Sequence, residues 1–222
     1  MEEYLSQLQK SSLFRGMGEE NVKKLCDCIA AHQRVVKKDA FVFRAGDEAH
    51  RIYLNLKGNM HIVDDDFWGN RSIIEMMKPI TLFGEAYNLA STDKYLVRVI
   101  AAEDSTLLEI NPERLFEICP NGCACHTELI KNTLYILSEK IVRLTRKLGY
   151  IIQRTTREKL ISYLSQCARQ AQSNSFYIPY TRQQLADYLC VDRSALSHEL
   201  SRMYDDGILR YRKNHFELLE KP

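Results

Sequence analysis

Between Thr181 and Arg202 the 222-residue chain carries five hydrogen-bond donors at close spacing: Arg193, Ser194, Ser197, His198 and Arg202. At roughly 100° per residue they fall on one half of a helix. Guanidinium, hydroxyl and imidazole groups on such a face suit the base edges and phosphates of a major groove. Thr181 and Arg182, which open the preceding segment, complete the candidate DNA-contacting set. The apolar residues take the other side: Leu185, Ala186 and Leu189 predict the inner face of a first short helix, and Leu196, Leu200 and Met203 that of a second. Thr181 followed by Gln184 reads as a capping box, and Asp192 as the cap of the second helix after a tight turn at Cys190-Val191.

A plain helical hairpin with a solvated face shares this pattern, so the flanks decide. Gly207 stands where a helix end favours a left-handed residue. Leu209 and Tyr211, then Phe216 and Leu218, alternate about Lys213-Asn214 as a β-hairpin would. Phe176 to Tyr180 predicts a further edge strand, with Pro179 unsuited to a central one. The expected module is a winged helix-turn-helix.

A second group with possible chemistry is Cys119, Cys123, Cys125 and His126, because thiolate and imidazole both ligate zinc and iron. The spacing is incomplete as a ligand set, and Pro120 and Gly122 predict a turn, so three thiols at a helix entry is the expected reading. Of the other cysteines, Cys167 and Cys190 read as small core residues and Cys26 and Cys28 diverge on a helix. Seven cysteines without an export signal predict free thiols in a reducing compartment. A metal-dependent enzyme built on a β-roll needs two or three histidines and a carboxylate around one cavity. The six histidines, at 32, 50, 61, 126, 198 and 215, include no His-x-His pair. No catalytic residue is assigned and a non-enzyme is expected.

These groups need elements to position them. The chain is 45% apolar and 27% charged, as expected of a folded globular protein. No apolar run approaches the roughly 20 residues of a membrane helix, and the acidic start at Met1-Glu-Glu-Tyr predicts a cytoplasmic protein that makes no membrane contact. The overall charge of +2 hides a split. Residues 1–139 hold 16 Lys/Arg against 21 Asp/Glu, and residues 140–222 hold 15 against 8. Only the C-terminal part is suited to a polyanion.

Two short helices are predicted over residues 3–14 and 19–31. From Gln33 to Ile110 short strands follow at Arg34-Val-Val, Phe41-Val-Phe, Ile52 to Leu56, Met60 to Val63, Ser72 to Met76, Val97 to Ile100 and Thr106 to Ile110, punctuated by glycine turns including Trp68-Gly-Asn. That spacing predicts an antiparallel roll with a natural ligand cavity. A short helix from Pro112 through Phe116 precedes a long helix from about 126 to 148. On the latter Ile130, Leu134, Leu137, Ile141, Leu144 and Leu148 alternate at spacings of four and three, a heptad seam that favours a two-stranded contact over burial against the roll. Gly149-Tyr150 breaks the seam, and Thr155 with Glu158 starts another capped helix. The fold class is thus α+β: a double-stranded β-helix or jelly-roll sensor domain (1–120), a dimerisation helix (121–149) and a winged helix-turn-helix domain (150–222).

This arrangement, with Phe43-Arg-Ala-Gly-Asp47, Ile52-Tyr-Leu-Asn-Leu-Lys-Gly58, Phe83-Gly-Glu85, Thr181-Arg-Gln-Gln-Leu-Ala186 and Arg193-Ser-Ala-Leu-Ser197, resembles the Crp/Fnr family of bacterial transcription regulators. The resemblance implies a homodimer on a palindromic operator in double-stranded DNA, RNA polymerase as a further partner, and a roll that binds a small effector. It also implies where this chain departs. Cyclic-nucleotide-binding members follow a Gly-Glu pair, some ten residues on, with Arg-Ser, the Arg taking the cyclic phosphate. Here Gly84 and Glu85 are followed by Tyr95-Leu96, Arg98 is out of register, and the pair that meets adenine is replaced by Arg143-Leu144. An unpaired phosphate in a low-dielectric cavity would cost several kcal/mol. The resemblance therefore implies a cyclic-nucleotide-independent branch, in which a small, largely apolar organic effector, not cAMP, meets Gly84, Glu85, Tyr95, Leu96 and Leu137. A redox, metal or haem response through Cys119, Cys123, Cys125 and His126 is the alternative, and a cupin-like metal enzyme a remote one.

Overall fold

The computed structural model describes residues 4–65, 71–90, 92–116 and 124–219. It divides into two compact units, residues 1–138 and 139–222.

In the first unit, α1 (Leu5–Lys10), a 3-10 turn (Ser12–Phe14) and α2 (Glu19–Cys28) precede eight strands: β1 (His32–Val36), β2 (Phe41–Phe43), β3 (Ile52–Lys57), β4 (Met60–Asp65), β5 (Arg71–Met77), β6 (Leu82–Phe83), β7 (Arg98–Ala101) and β8 (Ser105–Ile110). A short helix α3 (Glu85–Leu89) lies between β6 and β7. The strands form two four-stranded sheets in the orders β1-β8-β3-β6 and β2-β7-β4-β5, every pairing antiparallel. Their alternation explains the packing. Tyr53 of β3 and Leu107 of β8 join Phe43, Met60, Met77 and Val99 in a core between the sheets. Ile52, Leu54, Leu56, Leu108 and Ile110 point the other way and pack on Leu5, Leu8, Val22 and Leu25 of the N-terminal helices. β3 is buried from Ile52 to Leu56 because both of its faces are covered, and Asn55, the polar residue of that run, donates its amide to the Gly58 carbonyl. The predicted turn at Trp68-Gly-Asn lies outside the described residues. The two-residue strand β6 was not expected; it is too short to show alternation.

After α4 (Pro112–Phe116), α5 runs from Ala124 to Ile151. Gly149 does not end it: the seam stops there, but a glycine followed by the buried Tyr150 leaves the hydrogen-bond ladder intact. Within the first unit this helix buries Leu129, Asn132 and Thr133, and Ile136 packs against the same core. The Asn132 amide donates to the carbonyls of Leu13 and Arg15 at 3.0 and 2.9 Å, which fixes the helix on the N-terminal turn.

The second unit contains the end of α5, α6 (Thr156–Ala171), β9 (Ser175–Tyr177), α7 (Arg182–Leu189), α8 (Arg193–Asp205), β10 (Leu209–Arg212) and β11 (His215–Leu218). The strands form a sheet in the order β10-β11-β9, with β9 at an edge as Pro179 requires. Leu160, Leu164, Leu185, Leu189, Leu196, Leu200, Met203, Leu209 and Phe216 make one core. Gly207, at φ +69°, turns the chain from α8 into the wing. The α+β class, the roll and the winged helix-turn-helix are those read from the sequence.

Candidate nucleic-acid interface and sensor core

Both helices of the pair are capped as their sequences dictate. The Thr181 hydroxyl accepts from the Gln184 amide at 3.3 Å, while the Gln184 side chain accepts from the Thr181 amide at 2.9 Å. Asp192 receives the amides of Ser194 and Ala195 at 2.7 and 3.0 Å, and the Ser194 hydroxyl as well. These bonds hold its carboxyl below the usual range, the Ser194 hydroxyl contributing most. Between the helices Cys190 is left-handed, at φ +51°. Its expected place in the core is corrected by this geometry, since the turn leaves the residue exposed. Lys159 donates to the carbonyls of Leu189 and Cys190 at 3.2 and 3.4 Å, satisfying the end of α7.

With Leu196, Leu200 and Met203 fully buried, α8 turns Arg193, Ser194, Ser197, His198 and Arg202 to solvent. The structure thus brings these five predicted residues onto one exposed surface. Arg182 is placed differently. Its guanidinium lies 4.8 Å over the Tyr211 ring and 5.1 Å over that of Phe216, and burial lowers its pKa. It ties α7 to the wing. Sequence reasoning missed a tyrosine cluster: Tyr150 meets Tyr163 edge-on at 5.6 Å, Tyr163 meets Tyr188 at 5.7 Å, and Tyr180 stacks on Tyr188 at 4.9 Å. Lys147 lies 5.3 Å over Tyr188. These rings lock the last turns of α5 to α6 and α7. The only signal in the sequence was the tyrosine at each helix's inner edge.

On the long helix, Leu134, Ile141, Leu144 and Leu148 are 56–63% exposed, whereas Ile130 and Leu137 are half-buried. The stripe that packs on the first unit, Leu129, Thr133 and Ile136, is rotated from this seam by roughly 100°. Burial of the roll-facing side therefore leaves the heptad seam uncovered.

In the roll, Gly84 sits at φ +80°, and a Cβ there would come within 3.1 Å of the Arg51 carbonyl oxygen and 3.2 Å of the Tyr53 ring. Glycine lets the chain pass at this point and open α3 with the buried Glu85. Tyr95 is 2% exposed and stacks on Phe43 with centroids 3.7 Å apart. Its hydroxyl donates to the Arg51 carbonyl at 2.9 Å, a carbonyl that also receives the Asn88 amide at 2.9 Å. Phe43, Tyr53 and Phe83 complete the packed ring cluster. The expected pocket is corrected in two respects. Leu96, at a bend in the chain, is 69% exposed beside the buried Tyr95, so it does not line a cavity with it. The Tyr95 hydroxyl is already engaged within the roll. Open space lies outside the cluster, in a groove of about 460 Å3 between His50, Arg51, Asn88, Leu89 and Pro112. The partly exposed Arg34 is 2.9 Å from Glu109, which also lies 2.9 Å from His32.

Cys119 and Cys123 lie outside the described residues. Cys125 is half-buried, and the His126 ring nitrogen is 3.3 Å from the Arg114 carbonyl. Among the described residues no group of three His, Cys, Asp or Glu side chains could hold a metal, and no helix is long and apolar enough to cross a membrane.

Comparison with known proteins agrees with this geometry. Residues 33–121 match the cyclic nucleotide-binding domain family and residues 158–222 the Crp-like helix-turn-helix domain family. The chain is 23% identical over 199 residues to the transcriptional activator protein FnrA of Stutzerimonas stutzeri, covering 87% of this chain and 79% of that one. Its fold is similar to that of the catabolite activator protein of Thermus thermophilus, with a TM-score of 0.55 and 21% identity over 95% of this chain and 94% of that one. It is also similar in fold to the c-di-GMP responsive regulator CLP of Xanthomonas campestris, with a TM-score of 0.59 and 19% identity over 92% and 100% of the two chains. With a nucleotide-binding-type roll and a Crp-like helix-turn-helix in that order, and with the exposed donors of α8 on the second, the chain belongs to the Crp/Fnr family of DNA-binding transcription regulators.

Proposed function

We propose that this protein is a homodimer that reads a palindromic operator by placing α8 in the major groove, under the control of a signal received by the roll. The observation that carries the reading is the solvent face of α8, where Arg193, Ser194, Ser197, His198 and Arg202 are all exposed while Leu196, Leu200 and Met203 are buried. Arg193, in the first turn, is the candidate for a bidentate contact to guanine, and Arg202 for phosphate. Thr181 and Arg182 act behind them, the first as a helix cap and the second as a brace to the wing. The uncovered seam on α5 supports the dimer, and twofold symmetry then sets half-sites about 10 bp apart. RNA polymerase is the partner such a regulator would engage or obstruct.

The roll supports a signal other than a cyclic nucleotide. Position 95, where a phosphate would need a cation, holds a neutral ring that is stacked and hydrogen-bonded in place. An apolar or aromatic effector beside Glu85 and Leu137 would have to displace that ring, and would act by preferring one arrangement of α5 over another.

Enrichment of duplexes from a random library by the full-length protein tests the reading. A palindrome should emerge. Arg193→Ala should lose roughly 1–3 kcal/mol on it and relax one base position, and Arg202→Ala should weaken all duplexes alike. If both variants retain wild-type affinity and preference, α8 is not the reading helix.

A further inference from the structure

Within the span of the α8 donors, Arg193 to Arg202, stands one acidic side chain, Glu199. Glu199 lies among the donors of α8, yet its side chain is only 12% exposed. It is held from two sides: one carboxylate oxygen is 3.4 Å from Arg157 Nη1 and the other 3.6 Å from Arg202 Nη1. The second terminal nitrogen of Arg157 binds Asp206, seven residues beyond Glu199 and so two turns along the same side of α8. Arg157 stands in the first turn of α6, whose start is fixed by the Thr155–Glu158 capping box a few residues after α5 ends. A single planar guanidinium therefore grips the recognition helix at two points.

We propose that Arg157 and Glu199 are positioning residues that set the specificity of the DNA site. Arg157 fixes the rotation and tilt of α8 through Glu199 and Asp206, and Glu199 holds Arg202 so that it reaches phosphate in only one register. This rests on the DNA-reading role of α8. A largely buried carboxylate needs a matching cation, and here Arg157 supplies one from another helix while Arg202 supplies one from α8 itself. The pair thus couples the joint after α5 to the reading face, and makes α8 favour the backbone geometry in which its base contacts align.

The test measures affinity against salt for the full-length protein on two duplexes, the palindrome enriched by the wild type and a scrambled duplex of equal length. Arg157→Ala should bind the palindrome about tenfold more weakly and the scrambled duplex almost unchanged, with the slope of log affinity against log salt preserved, because no phosphate contact is lost. Arg157→Lys should restore part of the discrimination. Glu199→Gln, nearly isosteric, should bind scrambled DNA more tightly at an almost unchanged slope, because Arg202 already stands at phosphate and gains only freedom of register, and should narrow the gap between duplexes. Equal losses on both duplexes with a slope reduced by about 1.8, about 0.9 for each chain of the dimer, would make Arg157 an ordinary phosphate contact and overturn the proposal. So would a switch of preference at a single base in Glu199→Gln, which would make that carboxylate a direct reader of cytosine, and so would unchanged discrimination in both variants. A wild-type protein that enriches no duplex overturns the DNA reading and this inference with it, whereas the other outcomes bear on the clamp alone.

Discussion

Ile141→Asp tests the dimer at the most exposed position of the α5 seam, where the side chain is 63% accessible. Full burial of an isoleucine is worth about 1.5–3 kcal/mol, so covering that fraction in a two-stranded contact contributes about 1–2 kcal/mol per chain. Twofold symmetry doubles this to about 2–4 kcal/mol, or roughly 30- to 1000-fold in the dimer dissociation constant. The aspartate adds to that loss, since two like charges would approach across the seam without partners. Leu134, Leu144 and Leu148, each more than half exposed, are the other exposed residues of the same seam. Sedimentation equilibrium across the micromolar range reads the constant directly, and Lys131→Ala, on another side of the helix, is the control. A variant dimer as tight as the wild type would refute the seam.

Thr181→Ala should lower stability by about 1 kcal/mol through loss of the cap on α7, seen in denaturant titration; a much larger loss of DNA affinity at unchanged stability would instead make the hydroxyl a phosphate contact. Calorimetry with cAMP and cGMP should show no saturable micromolar binding, and heat that is lost on Glu85→Ala would mean that Tyr95 moves aside for a nucleotide. Tyr95→Phe should cost only about 0.5–1.5 kcal/mol in a thermal melt, because Asn88 still donates to the Arg51 carbonyl; a collapse of the fold would give the hydroxyl a larger role than this bond.

What the sequence revealed of this molecule was what is local. The capping boxes at Thr155 and Thr181, the Asp192 cap and the turn at Gly207 each lie within four residues, and each stands as the spacing of side chains implied. Period-two and period-3.6 patterns identified all strands but β6, and separated the inner from the outer face of α8. The site was legible for the same reason: its donors are neighbours on one helix. What was lost depends on geometry that spacing does not carry. Cys190 looked like a core residue because helical periodicity was extended one residue too far, into a left-handed turn. Tyr95 and Leu96 looked like two walls of one pocket, but the chain bends at Leu96 and leaves it exposed while Tyr95 is buried.

Arg182 shows the deeper limit. At the first turn of a helix before a recognition helix, an arginine reads as a phosphate ligand, and only the wing, about thirty residues on, reveals the two rings over which it lies. Arg157 and Glu199 are 42 residues apart, and neither stands out on its own. A charge that serves another charge has no periodicity, whereas apolar faces must repeat to be buried. The residues proposed to contact DNA were therefore the easier half of this site to find, and those proposed to hold them in register emerge only when α6 and α8 are packed together.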